Sequence, residues 1–182
     1  VEVDEGIMEN LITAAYSSLT ARFIGLHHVT FQGPTTNWIA DIRSDDAYKG
    51  GGGIVDQVPM HQAETYVLNP TNDLAFNKWL NLTWAIARVN VAISNLLEYE
   101  NPNYPSEIRM AEMRFLRAHF HFDMVRNYNQ VPWLDEDVLG SEASNTTYTK
   151  EELLELIEAD MQFAYDLLPL SQPELGRVNK YT

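Results

Sequence analysis

Cysteine is absent from the 182-residue chain, and several kinds of site are excluded with it. Disulfides, thiolate zinc sites, iron–sulfur clusters and cysteine nucleophiles all need a thiol. Basic residues are also scarce: 12 Lys and Arg stand against 26 Asp and Glu, which gives a formal net charge of −14. A nucleic-acid backbone or an anionic membrane leaflet would repel such a chain. We therefore expect no nucleic-acid partner and no direct binding to a bare lipid surface.

Long apolar runs are missing as well. No stretch approaches the ~20 apolar residues that cross a bilayer, and the acidic start Val1–Glu5 is unlike a signal peptide. The chain nevertheless has the material for a core, because 45% of its residues are hydrophobic and 11% are aromatic. That composition excludes wholesale disorder. The length suits one domain or a part of a larger one.

Four stretches carry the hydrophobic period of an α-helix and predict helices over about 4–22, 73–97, 105–128 and 149–168. In the second helix we expect a core stripe made by Phe76, Leu80, Trp84, Ala87 and Val91. Trp79, Ile86 and Ile93 widen this stripe enough that two sides of the helix must be covered. Thr149 and Glu152 have the spacing of a capping box at the start of the fourth helix. We expect the second and third helices to pair, which leaves the fourth without a partner in this sequence.

Residues 27–71, between the first two helices, show no sustained period. Their turn signals include Gly33-Pro34, the run Gly50–Gly53 and Asn69-Pro70. Loops of this length in a compact domain are usually either functional or disordered. The aromatic and aliphatic residues of this segment do not suit a solvated linker, so we predict that the functional site lies in it.

Catalytic and metal-binding patterns are not evident in the sequence. His119 and His121 lie two apart on a helix and point to opposite sides, so they cannot share a metal ion. The four-glycine run is followed by Ile54 instead of the Gly-Lys-Ser/Thr of a phosphate loop. Asp45 and Asp46 are adjacent loop residues that lack the alternating pattern of an EF-hand loop. We predict no catalytic residue, no metal and no cofactor.

Charged residues of the third helix have a structural interpretation. Arg109 and Glu112 have the spacing of a surface ion pair. Arg114 and Arg117 lie between two apolar faces, and we expect them to reach carbonyl or carboxylate groups of neighbouring helices.

Residues 111–132, the third helix and the turn after it, read AEMRFLRAHFHFDMVRNYNQVP. This segment closely resembles the signature of the SusD/RagB family of nutrient-binding outer-membrane lipoproteins of Bacteroidetes, in which a Glu-x-Arg-Phe-Leu-Arg-Ala helix runs into a Tyr-Gly-x-Val-Pro turn. Asn129 replaces the usual Gly of that turn, and Asn also tolerates the left-handed conformation. The loop at 41–51 and the helix at 79–95 are similar to the family too.

The resemblance implies a mainly α-helical fold of tetratricopeptide-like helix pairs, with long irregular loops that form a ligand platform. Members of the family are not enzymes. They capture oligosaccharides, or peptides in some branches, and pass them to a SusC-type TonB-dependent transporter. A lipid on an N-terminal Cys holds them at the cell surface. Their chains are far longer, so we expect residues 1–182 to be the N-terminal part, with the lipid anchor upstream and further helix pairs downstream.

A sugar offers an apolar face to an aromatic ring and hydroxyl pairs to carboxylates, amides or guanidinium groups. On that basis the predicted glycan-binding residues are Trp38, Asp45, Asp46, Tyr48 and Tyr66. Trp38 also suits burial against the helices. Three alternatives remain open: oligopeptide capture by the same type of complex, a helical-repeat scaffold that binds only proteins, and a fragment of a glycoside hydrolase.

Overall fold

The computed structural model describes residues 3–19, 41–138 and 148–182. Regular secondary structure in these ranges is entirely helical, which confirms the predicted fold class. The helices are α1 (Glu5–Ser17), α2 (Val58–Glu64), α3 (Asp73–Glu98), α4 (Ser106–Asn127) and α5 (Lys150–Leu167). The chain divides into two compact units. We call Val1–Ser17 with Leu82–Thr182 the helical unit and Ser18–Asn81 the loop unit.

Four of these helices lie where the hydrophobic period predicts them, and α2 does not. It occupies seven residues inside the segment that was expected to be loop throughout. Seven residues are too few for an amphipathic period to show. Pro59 lies in the first turn of α2, where the missing N–H is not needed by the helix.

The helical unit contains a core between α4 and α5. Its buried members are Ala111, Ala164, Leu168 and Val178, with Tyr16, Phe115 and Phe163 packed against them. The expectation that the fourth predicted helix lacks a partner is therefore wrong, because α5 packs along α4. The predicted capping box is confirmed: Thr149 Oγ1 accepts a hydrogen bond from the Glu152 backbone, and Glu152 Oε2 accepts one from the Thr149 backbone.

The predicted core surface of α3 is confirmed for the residues that widen the stripe and wrong for several residues of the stripe itself. Phe76, Trp84 and Val91 are 41–53% exposed, whereas Ile86 and Ile93 are fully buried. The hydrophobic period identifies this helix and its two apolar sides, but it does not rank them, and the side chosen as the main stripe is the more exposed one. No helix in the described part of the chain is long and apolar enough to cross a membrane.

A buried carboxylate of the helical unit joins three segments: α1, α4 and the residues that follow α5. Glu112 Oε1 accepts from Arg109 Nη1 at 2.7 Å and from Gln172 Nε2 at 2.8 Å. Glu112 Oε2 accepts from Arg177 Nη1 at 2.9 Å and from the Tyr16 hydroxyl at 3.0 Å. The Arg109–Glu112 pair expected from the sequence therefore exists, but both side chains are buried and the pair is not on the surface.

Glu9 of α1 shares two of these cationic partners. Its carboxylate accepts from Arg109 Nε at 2.9 Å, Arg177 Nη2 at 2.5 Å and the Tyr104 hydroxyl at 2.6 Å. Burial raises the pKa of Glu9, but the hydrogen bonds from Tyr104, Arg177 and Arg109 outweigh it and hold that pKa below 4.5. The ionised carboxylate therefore ties α1 to α4 and to the segment that follows α5.

A second cluster fixes α5 and the turn after α4. Arg117 makes a bidentate pair with Asp160, Nε to Oδ2 at 2.6 Å and Nη2 to Oδ1 at 2.9 Å, and Nη1 donates to Glu136. The Arg114 guanidinium lies over the Phe163 ring, 4.3 Å from its centre. Arg114 Nη1 also lies 3.6 Å from Asp160 Oδ1, so the prediction that both arginines reach a carboxylate of a neighbouring helix is confirmed.

His121 holds the turn itself. Its Nε2 accepts the Leu134 N–H at 3.1 Å, so its Nδ1 carries the proton that is donated to the Arg117 carbonyl at 3.0 Å. The ring stacks on Trp133, with ring centres 4.2 Å apart. Burial lowers the pKa of His121 to about 4, so the neutral imidazole is the form that fits.

Candidate functional site

The loop unit has a small core that supports an irregular surface. Ile42, Met60, Ala63 and Leu74 form this core. Asn72 is buried and links two elements: its Nδ2 donates to the Pro59 carbonyl and to Gln62 Oε1, while its Oδ1 accepts from the backbone of Leu74 at the start of α3. Residues 41–56 pass over this support.

Residues 41–46 form a turn closed by Ser44. The Ser44 hydroxyl donates to the Asp41 carbonyl at 2.7 Å and accepts the Asp46 N–H at 3.1 Å. Side-chain bonds of this kind replace a regular ladder in short polar turns. Asp45 and Asp46, in the middle of the turn, are both exposed to solvent.

The glycine run forms a tight loop that is closed by Asp56. Gly51 has φ +81°, and a Cβ on it would lie 2.3 Å from Asp56 Oδ2, so both its conformation and the space around it require glycine. Asp56 Oδ2 accepts the Gly52 N–H at 2.9 Å, and the Asp56 N–H donates to the Gly53 carbonyl at 3.1 Å.

Lys49 lies at the base of this loop. Its backbone N–H donates to Glu64 Oε1 of α2 at 3.3 Å. Its ammonium donates to the carbonyls of Gly50, Gly53 and Asp56 at 3.1, 2.9 and 2.6 Å. These three bonds use all the N–H donors of an ammonium.

A cleft of about 710 Å³ lies between the turn, the glycine loop and α2. The lining residues are Ile42, Ser44, Asp45, Ala47, Tyr48, Lys49, Gly50, Gly51, Gly53, Ile54, His61, Glu64 and Thr65. The Tyr48 ring is 88% exposed at this cleft. Carboxylates outnumber ammonium groups in this lining, Asp45 and Glu64 against Lys49, and His61 Nδ1 lies 3.6 Å from Glu64 Oε2.

The five residues predicted from the sequence fall in different places. Asp45 and Tyr48 are brought together on the cleft wall. Asp46 is exposed on the same turn but does not line the cleft. Tyr66 does not line it either: its hydroxyl donates to the Arg43 carbonyl and its ring lies under the Arg43 guanidinium, 5.0 Å away. Trp38 lies outside the described residues.

Sequence reasoning missed Lys49, His61 and Glu64 as lining residues. The signal for Lys49 was its position directly before four glycines, since such a loop needs a partner for its carbonyl groups. His61 and Glu64 gave no signal, because the short helix that carries them was not predicted. Three or more His, Asp or Glu side chains grouped to hold a metal ion are not found in residues 3–19, 41–138 and 148–182.

A family model described as "Starch-binding associating with outer membrane", of SusD-like type, matches residues 13–181. The chain belongs to the SusD-like family. The resemblance seen in residues 111–132 is thereby confirmed. The description of the family names two properties, starch binding and association with the outer membrane. No curated protein sequence matches the chain.

Solved structures share the fold. A laminarin-binding SusD-like protein has a TM-score of 0.79 at 22% identity, over 98% of this chain and 38% of that one. The surface glycan-binding protein A from Bacteroides uniformis has a TM-score of 0.82 at 21% identity, over 98% of this chain and 39% of that one. A SusD superfamily protein from Bacteroides vulgatus has a TM-score of 0.75 at 17% identity, over 97% of this chain and 37% of that one. This SusD-like chain therefore spans less than two-fifths of the length of these relatives.

Proposed function

We propose that this SusD-like chain takes part in the capture of oligosaccharides at the cell surface, and that the cleft of the loop unit is a point of contact with the glycan. The observation that carries the proposal is Tyr48, which is 88% exposed at the edge of a cleft whose lining includes the Asp45 carboxylate. An aromatic ring left in water has unused apolar surface, and the C–H face of a sugar is complementary to it.

The polar groups around the ring suit the rim of a sugar. The exposed Asp45 carboxylate accepts hydroxyl protons. Ser44 and Thr65 line the same cleft, but their hydroxyls already donate to the Asp41 and His61 carbonyls, so towards a sugar they serve only as acceptors. Hydrogen bonds to an ionised carboxylate are the stronger kind, so Asp45 fixes orientation while Tyr48 supplies contact area. No step of bond breaking is assigned to this arrangement, and the proposed role is binding without turnover.

The charge of the cleft favours an uncharged glycan. Asp45 and Glu64 line it, and the Lys49 ammonium is turned to backbone carbonyls. The whole chain carries a formal charge of −14, which adds to the repulsion of an anionic ligand. Neutral glucans and mannans are therefore the expected class, and uronic-acid or sulfated polymers are disfavoured.

Delivery of the bound glycan to a SusC-type TonB-dependent transporter is the second half of the proposal. The family's description as associated with the outer membrane supports it, as does the name of the Bacteroides uniformis relative, a surface glycan-binding protein. In this proposal the full-length protein is held at the cell surface by a lipid on an N-terminal Cys, and it covers the transporter.

Calorimetric titration of the full-length protein with laminarin, maltoheptaose and polygalacturonate tests the binding half. We expect saturable binding of at least one neutral glycan without release of reducing ends, and weaker binding of polygalacturonate. Tyr48→Ala should weaken glycan binding about tenfold, which corresponds to ~1.4 kcal/mol of contact energy. Tyr181→Ala is the matched control, because Tyr181 is 80% exposed in the helical unit.

Unchanged glycan affinity in Tyr48→Ala would overturn the assignment of the cleft. Absence of binding to every glycan tested, together with binding to peptides, would replace glycan capture with the oligopeptide alternative. Affinity purification of the tagged protein from native membranes tests delivery, and co-purification of a TonB-dependent transporter is the expected result. Recovery of other proteins without any glycan affinity would favour the scaffold alternative.

A further inference from the structure

The glycine loop beside Tyr48 contains a carbonyl cage with a side-chain cation inside it. The Gly50, Gly53 and Asp56 carbonyl oxygens converge on the Lys49 ammonium at 2.6–3.1 Å. Convergent carbonyl oxygens from a loop of a few residues are the usual surroundings of a bound Ca²⁺ or K⁺ ion. In this chain the positive charge is covalently attached at the residue where the loop begins.

Without that charge the loop has little to keep it in one conformation. Gly50, Gly51 and Gly53 all have positive φ, which glycine adopts at the expense of a large loss of backbone entropy on ordering. Three carbonyl dipoles pointing at one spot also repel each other unless a donor or cation lies between them. The bonds made by Asp56 close only one side of the loop.

The loop and the glycan-contact residue share this support. Tyr48 immediately precedes Lys49, and the Lys49 backbone N–H is bonded to Glu64 of α2. Gly50, Gly51 and Gly53 of the caged loop line the cleft. Lys49 therefore holds the loop that forms a wall of the cleft through its ammonium, and it joins the chain directly after Tyr48 to α2 through its backbone N–H.

We propose that Lys49 is a positioning residue for glycan binding: its ammonium acts as a built-in cation that holds the loop Gly50–Asp56 in its binding conformation. This inference rests on the proposed function of the cleft. Lys49 does not contact the sugar in this arrangement, because its donors are fully used by the loop. Its contribution is to reduce the ordering that the glycan would otherwise have to impose.

Three variants of the full-length protein test the proposal with laminarin and maltoheptaose as ligands. Lys49→Met keeps the length of the side chain without its charge, and we expect about tenfold weaker binding of the glycan that the wild type prefers. Lys49→Ala should bind as weakly, and millimolar propylammonium should restore at least half of the lost affinity by entering the cage. Lys150→Met, at an exposed lysine of α5, is the control and should bind like wild type.

Two measurements do not depend on a glycan. In Lys49→Met, exchange of the Gly52 and Asp56 amide protons should be about tenfold faster than in the wild type, since both are hydrogen-bonded within the loop. In the wild-type protein, acetylation by an activated ester should be at least tenfold slower at Lys49 than at Lys150. If a substitution prevents folding, the wild-type acetylation ratio still decides whether the ammonium is held.

Wild-type affinity and wild-type exchange rates in Lys49→Met would overturn the proposal, as would equal acetylation of Lys49 and Lys150. Lys49→Ala could also lose affinity without recovering it in propylammonium and without faster amide exchange in the loop. That result would contradict the claim that the Lys49 ammonium holds the loop. A wild-type protein that binds no glycan while its loop loosens in Lys49→Met would refute the proposed function and leave the cage intact. The two failures are therefore distinguishable.

Discussion

Glu112 in the helical unit and Lys49 in the loop unit are both single charges whose hydrogen bonds are satisfied by the protein, but their partners differ. Glu112 is buried and pairs with side chains 60, 65 and 96 residues away along the chain, as well as with nearby Arg109. Lys49 bonds to backbone carbonyls one, four and seven residues away.

The two kinds of hydrogen-bond partner have different structural roles. Side-chain partners drawn from distant segments fix the packing of helices, and their removal is expected to affect the whole unit. Backbone partners drawn from one loop fix a local shape, and their removal should leave the unit folded. Stability measurements should therefore respond to Glu112, His121 and Asp160, whereas ligand binding should respond to the loop.

The largest expected effect is that of Glu112→Gln. The substitution leaves the buried Arg109 and the half-buried Arg177 with Glu9 as a shared carboxylate, and it turns an amide NH2 group towards N–H and O–H donors. We expect a cost of about 3 kcal/mol, at the low end of the loss for a broken buried charge pair. Urea unfolding followed by circular dichroism measures it. Glu107→Gln, an exposed site on the same helix, should change the free energy of unfolding by less than about 0.5 kcal/mol. Equal stability of the two variants would contradict a central role for Glu112.

A pH titration of stability is the next test. The pKa of His121 falls from 6.5 to about 4 on folding, because of burial. Between these two pKa values the unfolded chain binds a proton at His121 that the folded chain does not. The contribution of this residue to the free energy of unfolding is therefore fully present above pH 6.5. It should decline by about 3 kcal/mol as the pH falls towards 4, and this residue should add no further loss below that value.

His121→Gln isolates this contribution from that of the carboxylates. Glu9 and Glu136 have folded pKa values below 4.5, so their stabilisation is lost only as the pH falls below that value. Between pH 6.5 and 4.5 the unfolding free energy of the variant should be nearly flat. His119→Gln, at an exposed neighbour on the same helix, should keep the wild-type slope. A wild-type slope in His121→Gln would show that another group titrates.

Asp160→Asn should have a smaller effect than Glu112→Gln. It removes the charge from the bidentate pair with Arg117 but leaves an amide oxygen to accept one bond, and Glu136 remains to balance the guanidinium. We expect a loss of about 2 kcal/mol by urea unfolding. Asp166→Asn, on the exposed side of the same helix, is the control. A loss as large as that of Glu112→Gln would show that the two clusters are equally important.

The smallest change in stability is expected from the glycine loop. Gly51→Ala places a Cβ against Asp56 at a positive φ and should cost about 1 kcal/mol, while Gly52→Ala meets nothing within 4 Å and should be neutral. Glycan affinity should follow the same order: Gly51→Ala distorts the cleft wall and should weaken binding several-fold, whereas Gly52→Ala should bind like the wild type. Thermal melting and calorimetric titration of both variants measure this. Equal glycan affinities of the two variants would show that the glycine loop is not part of the binding site.

The sequence predicted the helices of the helical unit better than their packing. The alternating steps of Ile108, Ala111, Phe115 and Ala118 define α4 without ambiguity. The apolar residues of α3 lie on two sides, so only the tertiary structure decided that the side with Ile86 and Ile93 is the more deeply buried one. Burial of the Arg109–Glu112 pair depended on Gln172 and Arg177, which no local spacing connects to it.

The candidate site was predicted in part for a related reason. Asp45 and Tyr48 share the cleft because they are neighbours in sequence, and composition was enough to single them out. Tyr66 was misleading, because an exposed aromatic residue looks the same in sequence whether its hydroxyl is free or bonded to the Arg43 carbonyl. His61 and Glu64 reach the cleft through a fold of the chain that no short pattern encodes.

The Glu9–Arg177 contact sets an order of events during synthesis. The two residues are 168 positions apart, so at about 5–20 residues per second roughly ten to thirty seconds separate their appearance on the ribosome. Arg177 is made after Arg109, Tyr16 and Tyr104, so its bonds to Glu9 and Glu112 are added to a contact between α1 and α4 whose other partners are already present. The loop unit needs only short-range closure and is free to form much earlier. A segment made late thus completes the attachment of the helix that was made first.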